Sequence, residues 1–362
     1  MVDGVRAGII GAGFIGGVHA RAVNATGGVI SRVAGSSPED ARAGAQRLGA
    51  QAAAASADDL INADDVDVVH ICTPNASHVP LAELVIAAGK PVICEKPLAM
   101  NIADAQRVTN AAADAGVVNA VPFVYRFYPT VREARARIAA EDAGLWMLHG
   151  SYLQDWLAGS QSDWRVDPAV GGASRAFGDI GVHWCDLMEF TTGHRITRLT
   201  ARLATAIAER RSGDGVAPVG TEDGASVLFE TDRGASGTLV VSQVSPGRHN
   251  RLWFEFDGTS TSYVFDQELP DNLWVGGIAQ SQVIPRGPDT LHEPAARYAH
   301  LPPGHPQGYQ DCFNAFVADV YAAIGGGEPD ELPTFADGLR AAELTAAVLD
   351  SARKETWVEV PA

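Results

Sequence analysis

The chain has 362 residues, of which 44 are acidic and 27 are lysine or arginine, and its formal net charge is −17 at pH 7. This length fits two domains, and the acidic balance, without a block rich in lysine and arginine, argues against nucleic-acid binding. No apolar run approaches the roughly 20 residues that span a bilayer, and the N-terminus lacks a signal-peptide pattern. We therefore expect a cytoplasmic protein with no membrane segment.

Short apolar runs alternate with helical patterns over residues 7–121. The runs that predict strands are Ala7–Ile10, Val29–Ala34, Val66–Ile71, Pro91–Cys94 and Val117–Val121. The patterns that predict helices are Ile15–Ala25, a stretch from Pro38 to Leu48, Leu81–Ala88 and Ile102–Ala115. Strand–helix alternation of this kind predicts a doubly wound parallel sheet, which we assign to residues 1–123.

The pattern changes after Tyr125, and we assign residues 124–362 to a second domain. A helical stretch is followed by longer strands with alternating polarity, which predict a large, mainly antiparallel open sheet in an α+β domain. These elements are Val131–Ala140, then Thr197–Ile207, Ala225–Glu230, Ala235–Val244, Leu252–Asp257 and Ser262–Asp266. Two helices, Tyr309–Ile324 and Asp337–Arg353, end the chain, and residues 284–308 are predicted to be the least regular part.

The four cysteines carry no metal or disulfide pattern. Cys72, Cys94, Cys185 and Cys312 are far apart in apolar surroundings, which predicts reduced, buried thiols. No cysteine and histidine cluster has the spacing of a catalytic zinc site, so we expect no metal.

The first predicted strand runs into a glycine-rich turn. Gly11, Gly13 and Gly16 form G-x-G-x-x-G, with Phe14 and Ile15 between the last two glycines. A strand before this motif and a helix after it are the context of a dinucleotide-binding turn, in which the helix N-terminus holds the pyrophosphate. These five residues are therefore predicted to bind the cofactor.

The end of the second predicted strand bears on the choice of cofactor. Ser36 and Ser37 stand there, without the acid that would bind the ribose hydroxyls of NAD and without an arginine for NADP. Glu39 and Asp40 follow at once and would repel a 2′-phosphate, whereas Arg42 would attract one. We favour NAD on this electrostatic ground and keep NADP open.

Two further segments carry side chains suited to acid–base chemistry. Lys96, next to Glu95, follows a strand of the parallel sheet, where ligands bind beyond the carboxyl ends of strands. Asp179 and His183 are four apart, so a helix beginning near Asp179 would place both on one face. A histidine can exchange protons near neutral pH, and a lysine can polarise a hydroxyl.

The ordered set of motifs resembles the glucose–fructose oxidoreductase / inositol dehydrogenase (Gfo/Idh/MocA) family. The residues that carry the resemblance are G-A-G-F-I-G, Thr73-Pro74-Asn75 with His78, Glu95-Lys96-Pro97, Tyr125-Arg126-Phe127 and Asp179-x-x-x-His183. It extends over nearly the whole chain, and it departs from the family at the missing ribose-binding acid.

The resemblance implies a Rossmann domain that binds NAD(P), followed by a domain that supplies the substrate pocket and an oligomer surface. It places Lys96 beside the nicotinamide and the reacting hydroxyl, and Asp179 and His183 on the substrate, with His183 as acid and base. Thr73, Pro74, Asn75, His78 and Glu95 would lie along the cofactor. The implied activity is oxidation of a secondary hydroxyl of a pyranose, anhydrosugar, glycoside or cyclitol by hydride transfer.

Aromatic and polar side chains between these motifs suit a sugar, which has apolar C–H faces and a polar rim. We predict that the substrate is contacted by Tyr125, Arg126, Tyr152, Gln154, Trp156, Trp164, Arg165, Asp179 and His183. Strand parity puts the residues at positions 152, 154 and 156 on one side.

Other functions and the assembly state remain open from the sequence. An NAD-retaining, redox-assisted glycoside hydrolase and a non-catalytic NAD(P)-binding sensor are the alternatives, together with a dihydrodiol- or biliverdin-type reductase. The exposed sheet face predicts a homodimer or homotetramer.

Overall fold

The computed structural model of the protein describes residues 4–141, 144–159, 162–212 and 215–361. These residues divide into two compact units. The first contains the described residues up to Val124 together with Tyr309–Ala342. The second contains Tyr125–Gly308 and the residues from Glu343 onward.

The first unit is built on a six-stranded parallel sheet with the order β3-β2-β1-β4-β5-β6. Its strands are β1 Arg6–Ile10, β2 Val29–Ala34, β3 Ala52–Ala53, β4 Val68–Ile71, β5 Val92–Cys94 and β6 Asn119–Ala120. Its first helices are α1 Phe14–Ala25, α2 Pro38–Leu48, α3 Ala57–Ile61, α4 His78–Ala87 and α5 Ile102–Ala115. The strand order reverses between β1 and β4, so the ligand crevice of this fold lies at the carboxyl ends of those two strands.

The second unit is built on a nine-stranded sheet with the order β16-β15-β14-β13-β7-β12-β11-β8-β17. Only the β7–β12 pair is parallel among the described pairings of this sheet. The elements that follow α5 in the chain are α6 Pro129–Ala140, β7 Met147–Leu153, α7 Pro168–Gly171, α8 Val182–Thr192, β8 Ile196–Ala204, β9 Glu209–Ser212, β10 Gly215–Pro218, β11 Gly224–Thr231, β12 Ser236–Ser242, β13 Arg251–Asp257, β14 Thr261–Asp266, β15 Asn272–Gly277, β16 Ser281–Pro285, α9 Glu293–Ala296, α10 Tyr309–Ile324, α11 Phe335–Lys354 and β17 Val358–Glu359. Of these, α10 belongs to the first unit, and α11 begins in the first unit and ends in the second.

One face of the large sheet is the core of the second unit. Alternate side chains of β13, namely Leu252, Phe254 and Phe256, are fully buried on that face, where α6 and α8 pack. Their neighbours in the strand are half-exposed on the other face. The predicted fold class, a doubly wound parallel sheet followed by a mainly antiparallel open sheet, is confirmed.

The sequence pattern missed the hairpin of β15 and β16, and also the β9–β10 hairpin. β15 ends in Gly276 and Gly277, and β16 ends in Pro285, residues that weaken a strand prediction. Strand β9 has the sequence Glu-Arg-Arg-Ser and shows no apolar alternation. Edge strands with little buried surface carry little hydrophobic pattern.

The first unit also receives a segment from late in the chain. Helix α10 packs against α1, and the backbone N–H of Val121 donates to the carbonyl oxygen of Pro333 at 3.1 Å. The predicted division at residues 123 and 124 lies one residue from the change of unit after Val124, while the return of residues 309–342 has no local signal in the sequence. None of the helices in the described ranges is long and apolar enough to cross a membrane.

Candidate active site

Each of the three glycines of the turn after β1 lacks a side chain for a different steric reason. Gly11 has φ of +96°, and a Cβ there would lie 2.6 Å from the carbonyl oxygen of Cys72. A Cβ on Gly16 would lie 2.2 Å from the carbonyl oxygen of Gly11. A Cβ on Gly13 would meet no described atom within 4 Å. The protein's own packing therefore does not require glycine at position 13, as expected where a ligand approaches the backbone.

Helix α1 begins at Phe14, directly after this turn, and its N-terminus is open. No described side chain caps it, and its first turn contains no acid. The guanidinium of Arg47 donates to the carbonyl oxygen of Ala12 at 2.5 Å and holds the turn in place. Uncapped N–H groups at a helix N-terminus form an anion site, so these residues fit the pyrophosphate of a dinucleotide.

An acid does reach the end of β2, although the sequence places none there. The carboxylate of Asp40, in the first turn of α2, accepts hydrogen bonds from the backbone N–H of Ser36 at 2.9 Å and from its hydroxyl at 3.1 Å. Ser37 caps α2 by accepting the N–H of Asp40 at 3.1 Å. The chain therefore presents a carboxylate at the strand tip from one turn farther along than the usual position.

The loop after β4 is tied to the loop after β5 by the buried ring of His78. Its Nε2 lies 2.8 Å from the carbonyl oxygen of Thr73, and its Nδ1 lies 2.8 Å from that of Pro97. His78 thus lies behind the two loops that the sequence assigned to the cofactor. Pro74 is exposed and Asn75 begins the short turn that leads into α4.

The buried imidazoles of His70 and His78 predict a loss of stability in mild acid. Burial lowers the pKa of His70 far below its ordinary value, helped by the neighbouring His19, and burial lowers that of His78 against the opposing carbonyl contacts. The unfolded chain then binds more protons below about pH 6.5, and stability falls as the pH falls. We expect a slope of up to about 1.4 kcal/mol per pH unit for each ring.

Melting temperatures measured from pH 8 to pH 5.5 would test this slope. His78→Gln keeps an amide that can donate to one carbonyl but does not titrate, so it should flatten the slope. His300→Asn, at an exposed position, should leave the slope unchanged. Equal slopes in wild type and His78→Gln would contradict the assignment to His78.

Lys96 follows β5 at the carboxyl edge of the parallel sheet, where it is half-buried. Its backbone N–H donates to Oε2 of the buried Glu95 at 3.1 Å, and the Lys96–Pro97 peptide is cis. The acid of the Glu-Lys-Pro motif therefore supports the backbone of the lysine.

In the second unit, Asp179 lies inside a helix and does not begin it. Residues Phe177–Gly181 form a π-helical turn that continues directly into α8. The predicted helix start near Asp179 is therefore wrong by a few residues, because the wide turn begins earlier, where Oε1 of Glu222 accepts the N–H of Phe177 and Oγ of Ser174 accepts that of Gly178, each at 3.0 Å. At about 4.4 residues per π-helical turn, Asp179 and His183 still lie close to one face, and π-turns are frequent at functional sites.

The imidazole of His183 is nearly buried and packs beside two tyrosine rings that also contact each other. Its ring centroid is 5.0 Å from that of Tyr125 and 6.3 Å from that of Tyr152. The two tyrosine hydroxyls are hydrogen-bonded to each other, and Tyr152 donates to Oδ1 of Asn250 at 2.8 Å. His183 therefore stands beside a chain of neutral hydrogen-bonding groups.

The same chain of hydrogen bonds continues to an exposed indole. The amide of Gln154 donates to Oδ1 of Asn250 at 2.6 Å, and Nε1 of Trp156 donates to Oε1 of Gln154 at 2.9 Å. Trp156 is 44% exposed, so it does not belong to the core. Strand β7 ends at Leu153, so only the first of the residues at positions 152, 154 and 156 lies in the predicted strand, although hydrogen bonds link the three side chains.

Arg165 joins the tryptophans to the aspartate. Its guanidinium carbon lies 5.2 Å from the centroid of the Trp156 ring and 4.3 Å from that of Trp164. Its Nε is 3.9 Å from Oδ2 of Asp179, which also accepts Nε2 of Gln243 at 2.6 Å. Eight of the nine predicted substrate residues are thereby linked in one cluster.

Arg126, the ninth, has a different environment. Its guanidinium forms a two-contact ion pair with Asp186 of α8, with Nε 2.8 Å from Oδ2, and it lies over the ring of Phe190. The side chain is buried, so we interpret Arg126 as fixing the 3-10 turn Val124–Phe127 against α8.

Gln243 and Asn250 are hydrogen-bonded to this cluster, and the sequence did not indicate them. Gln243 follows β12 directly, Asn250 precedes β13, and Leu153 ends β7 between them in the sheet. The strand order β13-β7-β12 brings these three strand ends side by side. The missing signal was therefore the sheet order, which a sequence pattern does not encode.

Fold and site together define a two-domain oxidoreductase with a dinucleotide-binding first domain. The model of the oxidoreductase family with an NAD-binding Rossmann fold matches residues 5–123, and that of the GFO/IDH/MocA C-terminal domain matches residues 131–264. The chain is 33% identical over 390 aligned positions to levoglucosan dehydrogenase of Pseudarthrobacter phenanthrenivorans, covering 99% of both chains. It belongs to the Gfo/Idh/MocA family of oxidoreductases.

More distant relatives and solved structures agree. Inositol 2-dehydrogenase of Rhizobium meliloti is 26% identical, with 98% of this chain and 99% of that protein covered. The structure of levoglucosan dehydrogenase in complex with NADH and levoglucosan superposes with a TM-score of 0.92 at 31% identity, covering 99% of this chain and all of the other. The family resemblance read from the motifs is confirmed.

Proposed function

We propose that this protein is an NAD-dependent dehydrogenase that oxidises a secondary hydroxyl of a pyranose, anhydrosugar, glycoside or cyclitol. The observation that carries the proposal is the placement of His183 beside Tyr125 and Tyr152, in a cluster with an exposed tryptophan. The names of the relatives, levoglucosan dehydrogenase and inositol 2-dehydrogenase, support a polyol substrate. The 33% identity over 99% of the chain makes an anhydrosugar the first candidate.

In this proposal His183 takes the proton of the reacting hydroxyl, and the hydrogen on the same carbon leaves as hydride. When bound, the nicotinamide supplies the hydride acceptor. The charge of Lys96 stabilises the alkoxide as the proton leaves. Asp179, held by Gln243, orients the substrate through a hydrogen bond from another hydroxyl.

The rim of the cluster suits a sugar. A pyranose or anhydrosugar ring presents apolar C–H bonds that pack on an indole, and its hydroxyls need donors and acceptors at the edge. Trp156 offers an exposed ring, while Gln154, Arg165 and Asp179 offer polar groups linked to it. These contacts support the assignment of the cluster to substrate binding.

The test is the absorbance of reduced nicotinamide, measured with NAD or NADP and a panel of levoglucosan, other anhydrosugars, pyranoses, glycosides and inositols. We expect turnover with one class, lost in both Lys96→Ala and His183→Ala. Release of free sugar from a glycoside without net NADH would favour the redox-assisted hydrolase. Tight NAD binding without turnover of any polyol would favour the sensor.

Asp40 is expected to set the preference for NAD over NADP. Its carboxylate at the tip of β2 would accept ribose hydroxyls and repel a 2′-phosphate, and like charges brought together cost several kcal/mol. We therefore expect Asp40→Asn to lower kcat/KM for NAD, relative to kcat/KM for NADP, by about tenfold or more. Glu39→Gln, at the preceding and exposed position, is the matched control, and an equal effect of both substitutions would contradict the role of Asp40.

We also propose that the outer face of the large sheet joins subunits in a homodimer or homotetramer. One cross-strand row on this face contains Leu228, Thr238, His149, Glu255, Val264, Trp274 and Val283. Leu228 at one end of the row, and Trp274 and Val283 at the other, are exposed apolar members of it, and exposed apolar side chains favour burial against a partner. Light scattering of Leu228→Glu should show a smaller species than wild type, and an unchanged mass would contradict this interface.

A further inference from the structure

Four polar side chains in the interior of the first unit contact one another in a linear series. Oε1 of Glu95 lies 3.1 Å from Nε2 of His19, and Nδ1 of His19 lies 2.9 Å from Nδ1 of His70. Nε2 of His70 lies 3.1 Å from the hydroxyl of Tyr321. All four are nearly or fully inaccessible to solvent. We call this set the buried polar chain.

The buried polar chain joins four separate parts of the sequence. His19 is on α1, His70 on β4, Tyr321 on α10, and Glu95 follows β5. The ring of Phe313 packs at 5.1 Å from that of His19, so the surroundings are partly aromatic. Burial of polar groups is costly unless each one is hydrogen-bonded, and here each member is within hydrogen-bond distance of the next.

The contact between His19 and His70 restricts where the protons are. Two ring nitrogens can share a hydrogen bond only if one donates and the other accepts. Burial lowers the pKa of His70 far below its ordinary value, so that ring is neutral and has one donor and one acceptor. Burial, with the charge of Asp67, also raises the pKa of Tyr321, so its hydroxyl keeps the proton.

We propose that the buried polar chain is a directed hydrogen-bond chain in which every proton points toward the Glu95 carboxylate, and that it positions this carboxylate beneath the backbone of Lys96. Tyr321 donates to Nε2 of His70, Nδ1–H of His70 donates to Nδ1 of His19, and Nε2–H of His19 donates to Glu95. The other carboxylate oxygen accepts the N–H of Lys96. The three residues behind Glu95 are positioning residues.

A second pattern would also satisfy each contact. In it His19 carries a positive charge and donates from both nitrogens, and His70 donates to Tyr321. The second pattern places two charges, those of His19 and Glu95, in the interior, whereas the proposed pattern places one there. The two patterns differ at His70, which carries its proton on Nδ1 in the proposed one and on Nε2 in the other.

Nitrogen-15 NMR of histidine-labelled protein at pH 8 distinguishes these patterns. We expect His70 as the Nδ1–H tautomer and His19 as the neutral Nε2–H tautomer, each assigned from the signals lost in His70→Gln or His19→Gln. A doubly protonated His19, or His70 protonated on Nε2 in the wild type, would overturn the proposal. The experiment needs neither substrate nor cofactor, so the chain is tested even if the proposed function fails.

Glu95→Gln provides a test with an unusual outcome. The glutamine oxygen still accepts the N–H of Lys96, while its amide donates to Nε2 of His19. His19 then donates from Nδ1, and His70 changes from the Nδ1–H to the Nε2–H tautomer, two residues away from the substitution. A His70 tautomer that stays on Nδ1 in a folded Glu95→Gln protein would refute the directed chain.

Tyr321→Phe is the matched comparison, because it removes the far donor without reversing the chain. We expect His70 to remain the Nδ1–H tautomer in this variant. The signals of the exposed His249 should be identical in all the proteins and serve as the internal control.

The inference that Glu95 positions Lys96 for catalysis rests on the proposed function, and enzyme kinetics test it separately. With a substrate in hand, Glu95→Gln should lower kcat, by up to about 10²-fold, more than it raises KM. Tyr321→Phe should show a smaller effect in the same direction. A tautomer change at His70 with unaltered kcat would keep the directed chain but overturn its role in positioning Lys96.

Discussion

Replacement of His183 by asparagine is expected to lower kcat by about 10²- to 10⁴-fold and to leave the affinity for NAD near that of the wild type. The range is that of a lost general acid or base. The imidazole is nearly buried beside the rings of Tyr125 and Tyr152, whose hydroxyls are already engaged with each other and with Asn250. Neither the tyrosine hydroxyls nor the amide of Asn250 can replace the imidazole as a base near neutral pH.

The measurement pairs steady-state kinetics on the best polyol with NAD affinity from a fluorescence titration. His149→Asn is the matched control, since His149 is also on the second unit but lies on the outer face of strand β7, over Trp253. It should keep wild-type kcat. A loss of less than about tenfold in His183→Asn would show that another group takes the proton.

Elements with clear end signals were predictable from the sequence. The predicted helix Ile102–Ala115 agrees with the structure at both ends, because Asn101 caps its N-terminus and Gly116 ends it in the left-handed conformation. The alternation of β11 to β14 was equally clear, since one face of each strand is buried. Local chemistry decides such features, and a local pattern therefore reveals them.

Features decided by packing between distant segments could not be predicted in the same way. Asp40 reaches the tip of β2 only because Ser37 caps α2 and turns its first residues back toward Ser36. The contact of Tyr321 with His70 joins residues 251 positions apart. Arg126 was expected at the substrate from its place after a strand, whereas its ion pair with Asp186 depends on how α8 packs.

Gly13→Ala is expected to weaken NAD binding while the fold stays intact. Gly13 has φ of −70°, which alanine adopts readily, and the added methyl meets no described atom of the chain within 4 Å. It would meet a pyrophosphate on the helix N-terminus. Overpacking of this kind costs about 1–3 kcal/mol, which is about a 5- to 150-fold rise in Kd.

Two neighbouring glycines make the comparison decisive. A Cβ at Gly17 would make only ordinary contacts, at 3.7 Å with Arg21 and 4.0 Å with Leu48, so Gly17→Ala should bind NAD as the wild type does. A Cβ at Gly16 would lie 2.2 Å from the carbonyl oxygen of Gly11, so Gly16→Ala should lower the melting temperature. If Gly13→Ala alone combines weak NAD binding with a wild-type melting temperature, the added methyl group clashes with the bound dinucleotide and not with the protein. Wild-type affinity in Gly13→Ala would mean that the dinucleotide does not approach this backbone, and the assignment of the turn to the pyrophosphate would fail.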